Sequence, residues 1–180
     1  MRTATLVLAA YVLCVLVGAW WRLLPASLLR DGVPELGALT AAYLGLTARR
    51  GLAPAVGGSV AIGYLADVIS GTPPGLGAVV LGLTCLITRS AQQRILVRGA
   101  AMTIGFSAFV ALVAGVLGLI VRAVAGVPVA AITVELSHLV LVVVATALIG
   151  PLVWRLFRRI DAAFARTHRE RDAALEGLAP

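Results

Sequence analysis

Ionisable side chains are scarce in this chain, and four of them fall inside or beside its apolar runs. Glu135 and His138 stand three residues apart, a spacing that sets both on one face of a helix. A carboxylate and an imidazole so placed could relay protons or supply two ligands to a metal. Glu35 follows Pro34 at the start of another run, and Asp67 closes a third, just ahead of "SGTPPGLG" (Ser70 to Gly77). One Glu and one His do not complete a metal site. No metal and no cofactor is therefore expected, and the pair reads as a polar contact near the end of a span. The phosphate-cradling glycine loop, the zinc-protease helix and the nucleophile elbow are missing from the sequence. With no paired catalytic groups either, a non-enzyme is expected. Cys14 and Cys85 both sit in apolar runs and read as small buried hydrophobes, not as a disulfide framework.

The elements that carry these residues follow from composition. The chain has 180 residues, of which 61% are hydrophobic and 13% charged, with a mean hydropathy of +1.02. A soluble domain carries about 25% charge, so the natural solvent here is lipid. Lipid offers the backbone no hydrogen-bond partners, and the runs are continuous, so they must be helices and not outer-membrane strands. The expected fold is an all-α membrane bundle of six spans: 4–21, 33–48, 52–69, 76–88, 99–121 and 132–154. A charged tail, 155–180, follows, with Arg166 and Glu170 spaced to support a short helix. The first span is read as uncleaved, since its uncharged run exceeds a signal-peptide core. Spans two and four are short, and the fourth could lengthen back toward Ser70.

The net charge is +7, and every basic residue other than the two histidines is arginine. Nucleic acid is not the expected partner, because the arginines lie between or beyond the apolar runs. If six spans alternate from an internal N-terminus, 12 of the 15 arginines fall on one side, leaving Arg22, Arg30 and Arg122 on the other. That bias puts both termini in the cytoplasm. A four-span alternative, with 35–69 as a re-entrant hairpin, would bring Arg49 and Arg50 to membrane depth at about 2.5–3.5 kcal/mol each. Trp20, Trp21 and Trp154 are expected at the interfacial belts.

Small residues recur at four-residue spacing, which lets helix backbones approach closely in lipid. The stripes are Ala10–Cys14–Gly18, Gly37–Ala41–Gly45, Ala55–Ser59–Gly63 and Ser107–Ala111–Gly115. The third, extended one step, reaches Asp67 and aims it into the bundle. Ser70, Gly71, Pro73, Pro74 and Gly75 then read as a turn, since proline stops the helix and glycine allows the reversal. Asp67 is placed to accept hydrogen bonds from the amides of that turn.

The stretch "PELGALTAAYLGLTARRGLAPAVGGSVAIGYLADVISGTPPGLGAVVLGL" (Pro34 to Leu83) resembles the central pattern of the MreD family of bacterial rod shape-determining membrane proteins. The corresponding residues are Pro34 and Glu35; the basic pair Arg49 and Arg50 with Gly51; and Asp67, Ser70, Gly71, Pro73, Gly75 and Leu76. "ALIGPLVWRLFRRID" (Ala147 to Asp161) is similar to the family's last span and its basic exit. Glu35 stands where an aspartate is commoner, and the first span lacks polar residues that some members show.

The resemblance implies a multi-pass protein of the bacterial plasma (inner) membrane, a non-enzymatic subunit of the lateral peptidoglycan-synthesis machinery. Its partners would be an MreC-like single-span scaffold, an MreB-like filament, the elongation glycosyltransferase and transpeptidase, and membrane lipid. Architecture of this size also resembles the substrate-binding components of energy-coupling-factor vitamin transporters, which gives an alternative function. Against it, Ala4, Ala9 and Ala10 lack the docking-patch spacing of those components. The chain also offers few polar pocket residues: Asp67, Thr72, Glu135 and His138.

Overall fold

A computed structural model describes residues 2–23, 32–48, 51–92, 99–128 and 131–176. Arg30, Arg49, Arg50, Arg94 and Arg98, on which the topology reading draws, lie outside the described residues, as do the side chains of Arg2, Trp21, Arg22, Arg166, Arg169, Glu170 and Arg171. Among the described residues all regular structure is helical: α1 (Arg2–Arg22), α2 (Leu36–Thr47), α3 (Leu52–Ser70), α4 (Leu76–Gln92), α5 (Ala100–Val124) and α6 (Ile132–Glu176). Four contain stretches long and apolar enough to cross a membrane: Thr3–Trp20, Leu52–Ser70, Ala101–Val124 and Ile132–Ala165. Leu36–Thr47 and Leu76–Ala91 are shorter apolar helices.

The shortest helix is the centre. α2 touches all five others, and Ala38, Leu39, Ala41 and Ala42 are fully enclosed. A helix apolar on every side belongs inside a bundle. Its two glycines, Gly37 and Gly45, fit it against α4: a Cβ at Gly45 would lie 2.6 Å from the Cys85 carbonyl oxygen. The α3 stripe grips α4 from the other side, where a Cβ at Gly63 would strike the Gly77 carbonyl. On the far flank Ser107 of α5 packs into the space left by Gly150 of α6, and Leu139 of α6 into that left by Gly115. The α1 stripe is looser, because Ala10 is buried but nothing lies within 4 Å of a Cβ at Gly18.

Buried hydroxyls are satisfied within their own helices. Thr40, Ser59, Thr84, Thr88, Ser107 and Thr146 each donate to the carbonyl four residues earlier at 2.7–2.9 Å. This back-bonding lets polar residues sit in an apolar bundle.

Four expectations need correction. Helix α4 begins at Leu76, as expected, and does not lengthen back toward Ser70, because Pro73 and Pro74 stand before it; it lengthens instead at its other end, past Thr88 to Gln92. Trp154 is only 5% exposed. It belongs to a buried aromatic cluster, with Tyr43 at 5.2 Å and Phe106 at 5.8 Å in edge-on contacts, and not to an interfacial belt. The last span and the tail helix are one continuous helix, 45 residues long, that carries Pro151 inside it. Tyr43 fastens that extension to the core by donating to Asp161 Oδ2 at 2.6 Å. The fourth correction concerns Glu35.

Candidate functional site: a polar cavity at one end of the bundle

The second span was expected to run 33–48, with Glu35 near its start. The helix instead covers 36–47, about 18 Å at 1.5 Å per residue. Residues 32–35 approach it without helical structure. They run beside α6: Gly32 lies against Leu141, and the Glu35 amide donates to Thr146 Oγ1 at 2.9 Å. Thr146 is 14 residues into α6, roughly 21 Å from its start. Glu35 is therefore deep in the bundle, about halfway along the apolar part of α6. Proline supplies a local cause, because the residue before it is pushed toward extended conformations, and Pro34 separates the segment from the helix. Non-helical backbone at such depth is tolerated where protein covers it or where it lines a cavity.

It lines a cavity of ≈ 470 Å³. The walls are the second halves of α1, α3 and α5, the first halves of α4 and α6, and the 33–37 segment. All of these lie at the end of the bundle that carries the α3–α4 turn and the α5–α6 loop, opposite the α6 extension. Of the residues singled out in the sequence, Pro34, Glu35, Gly37, Gly63, Asp67, Ser70, Leu76, Glu135 and His138 border it. Two segments some thirty residues apart in sequence, and a third farther on, thus meet at one space. Gly71, Pro73 and Gly75 form the turn beside it, while Ala41, Gly45, Ala55 and Ser59 belong to the packed interior.

Asp67, in the last turn of α3, is 6% exposed. Its carboxylate accepts from the Gly75 amide at 2.9 Å, from the Gly77 amide at 2.9 and 3.0 Å, and from Thr72 Oγ1 at 3.1 Å. Its carbonyl caps the helix end by accepting from the amides of Gly71 and Thr72. Gly71 adopts φ +69°, the left-handed geometry that suits glycine at a helix C-terminus. A Cβ at Gly77 would lie 2.6 Å from Asp67 Oδ1, so only glycine lets the amide and the carboxylate meet. The acid is the clasp of the α3–α4 corner.

Glu135 and His138 share the cavity but are not partners. Glu135 is paired across the α5–α6 loop with Arg122, its Oε2 3.2 Å from Nη2. Sequence reasoning missed this pair, although the two residues flank Gly126, Val127 and Pro128 in the loop. It also missed Thr146 as the anchor of the Glu35 amide; a lone threonine in an apolar run gives no such signal. Glu35 differs from both other acids. Its side chain is exposed to the cavity, and its carboxylate has neither hydrogen bond nor ion pair among the described residues. No group of three or more His, Cys, Asp or Glu residues suited to a metal occurs among the described residues. Compared with known proteins, the chain matches no family model, no curated protein and no solved structure.

Proposed function

We propose that this protein is a non-enzymatic subunit of a membrane-embedded assembly for cell-shape and lateral peptidoglycan synthesis. It would hold a single-span, MreC-like scaffold partner. One observation carries the reading: Pro34, Glu35, Asp67, Ser70 and Leu76, five of the residues of the resemblance, border a single space at one end of the bundle. The clasped α3–α4 corner gives that end a fixed rim, and Pro73 is exposed on it. In this reading all six helices cross the bacterial plasma membrane. The rim faces outward, and the termini and the basic α6 extension face the cytoplasm, where anionic lipid or an MreB-like filament is met.

Two variants test the docking. Asp67→Asn is expected to lower both the folded yield and the co-purification of a single-span scaffold. Pro73→Arg changes only an exposed position and is expected to keep the yield while losing the partner. Retention of the partner by both variants would overturn the reading. The cavity favours a second one, the substrate-binding component of a small-molecule transporter. Its volume falls in the range of about 300–1,000 Å³ that suits small ligands, and purification with a stoichiometric ligand would favour it.

A further inference from the structure

We infer that the cavity binds a molecule with an ammonium head and an apolar body, the ammonium seated against Glu35. The inference deepens the second reading above and rests on its treatment of the cavity as a ligand site.

The charges that border the cavity do not balance. Four charged residues among those described border the cavity: Glu35, Asp67, Arg122 and Glu135. Asp67 is taken up by its corner, and Arg122 and Glu135 answer one another. His138 borders the same space and acts on Glu35 electrostatically, but makes neither a hydrogen bond nor an ion pair with it. What remains is one carboxylate with nothing bonded to it, at the inner end of the space. A carboxylate at such depth is costly unless water or a cation answers it. The rest of the lining suits an apolar body, with Val80, Leu81, Leu119, Leu139 and Val142 around the walls. A protonated amine answers the charge with a charge-assisted hydrogen bond, while its hydrocarbon displaces water from the apolar walls. An anion would meet an uncompensated negative charge in the same place.

An ammonium can arrive from two sources: a soluble amine, or the headgroup of phosphatidylethanolamine. The protein is reconstituted in nanodiscs of phosphatidylglycerol alone, and its thermal stability is followed with hexylammonium, hexanol and hexanoate. Hexylammonium is expected to raise the melting temperature at concentrations about tenfold lower than hexanol, the scale of one charge-assisted contact, and hexanoate to have no effect.

Glu35→Gln is expected to keep the unliganded melting temperature and to lose the preference for the cation. Gly118→Leu provides a second variant. Nothing lies within 4 Å of a Cβ at Gly118, which borders the cavity, so leucine fills the space with Glu35 intact. It is expected to abolish the responses to hexylammonium and to hexanol. For the lipid source, native mass spectrometry follows protein taken from nanodiscs containing phosphatidylethanolamine. A retained adduct lost in Glu35→Gln assigns the headgroup, and its absence beside a hexylammonium response assigns a soluble amine.

Equal responses to hexylammonium and hexanol, or a cation preference that survives Glu35→Gln, would overturn the inference while leaving a ligand site in place. No response to any probe, with no adduct, would overturn both.

Discussion

The α3–α4 corner and the floor of the cavity each hold a carboxylate, and they treat it in opposite ways. At the corner, Asp67 is enclosed and accepts from two amides and a hydroxyl. At the floor, Glu35 faces open space with no bonded partner among the described residues. The difference lies in the backbone. Gly71 and Gly77 let the chain fold back onto Asp67, whereas Glu35 heads a helix whose N-terminus has no side-chain cap. An acid whose bonds are all made internally fixes structure. An acid left open keeps its interaction energy for something that arrives later.

Substitutions at the two places should therefore diverge. The largest loss is expected for Asp67→Ala, which leaves the Gly75 and Gly77 amides without an acceptor and should cost about 2–5 kcal/mol, read by denaturation in detergent. If it proved as mild as a change at Glu35, the clasp would not exist. Gly63→Ala drives a methyl into the Gly77 carbonyl and should cost about 1–3 kcal/mol by the same assay. Tyr43→Phe removes the bond to Asp161 at about 1–2 kcal/mol and should leave the cavity untouched, since it lies at the opposite end. Glu35→Gln should change stability by no more than about 0.5 kcal/mol. A large destabilisation there would place Glu35 with Asp67 among the structural acids and erase the contrast.

Much of the corner was legible in the sequence. The stripe Ala55–Ser59–Gly63 points along one helix face to Asp67, and Pro73, Pro74 and the glycines announce a turn that must satisfy its own amides. Helicity and a membrane setting followed from the long apolar runs. The depth of Glu35 was not legible. Hydropathy counts Val33 and Pro34 with the helix that follows, because an extended apolar segment inside a bundle and a helical turn look the same by composition. Trp154 misled for a related reason: a tryptophan next to an arginine suits an interface as well as it suits an aromatic core. The Arg122–Glu135 pair depends on how a loop brings two helix ends together, which spacing alone does not encode.

The central claim is that Glu35 stands deep in the bundle, at the floor of a cavity reached from the end opposite the basic extension. Its most direct test is thiol accessibility. Glu35→Cys is built on a background with Cys14 and Cys85 replaced by serine, beside Leu39→Cys, one turn deeper in the enclosed core. A membrane-impermeant maleimide is then added to intact cells. Labelling at position 35 from outside, with position 39 silent, is the result expected. Labelling of position 35 only after the cytoplasmic side is opened, or equal labelling of both positions, would contradict the account.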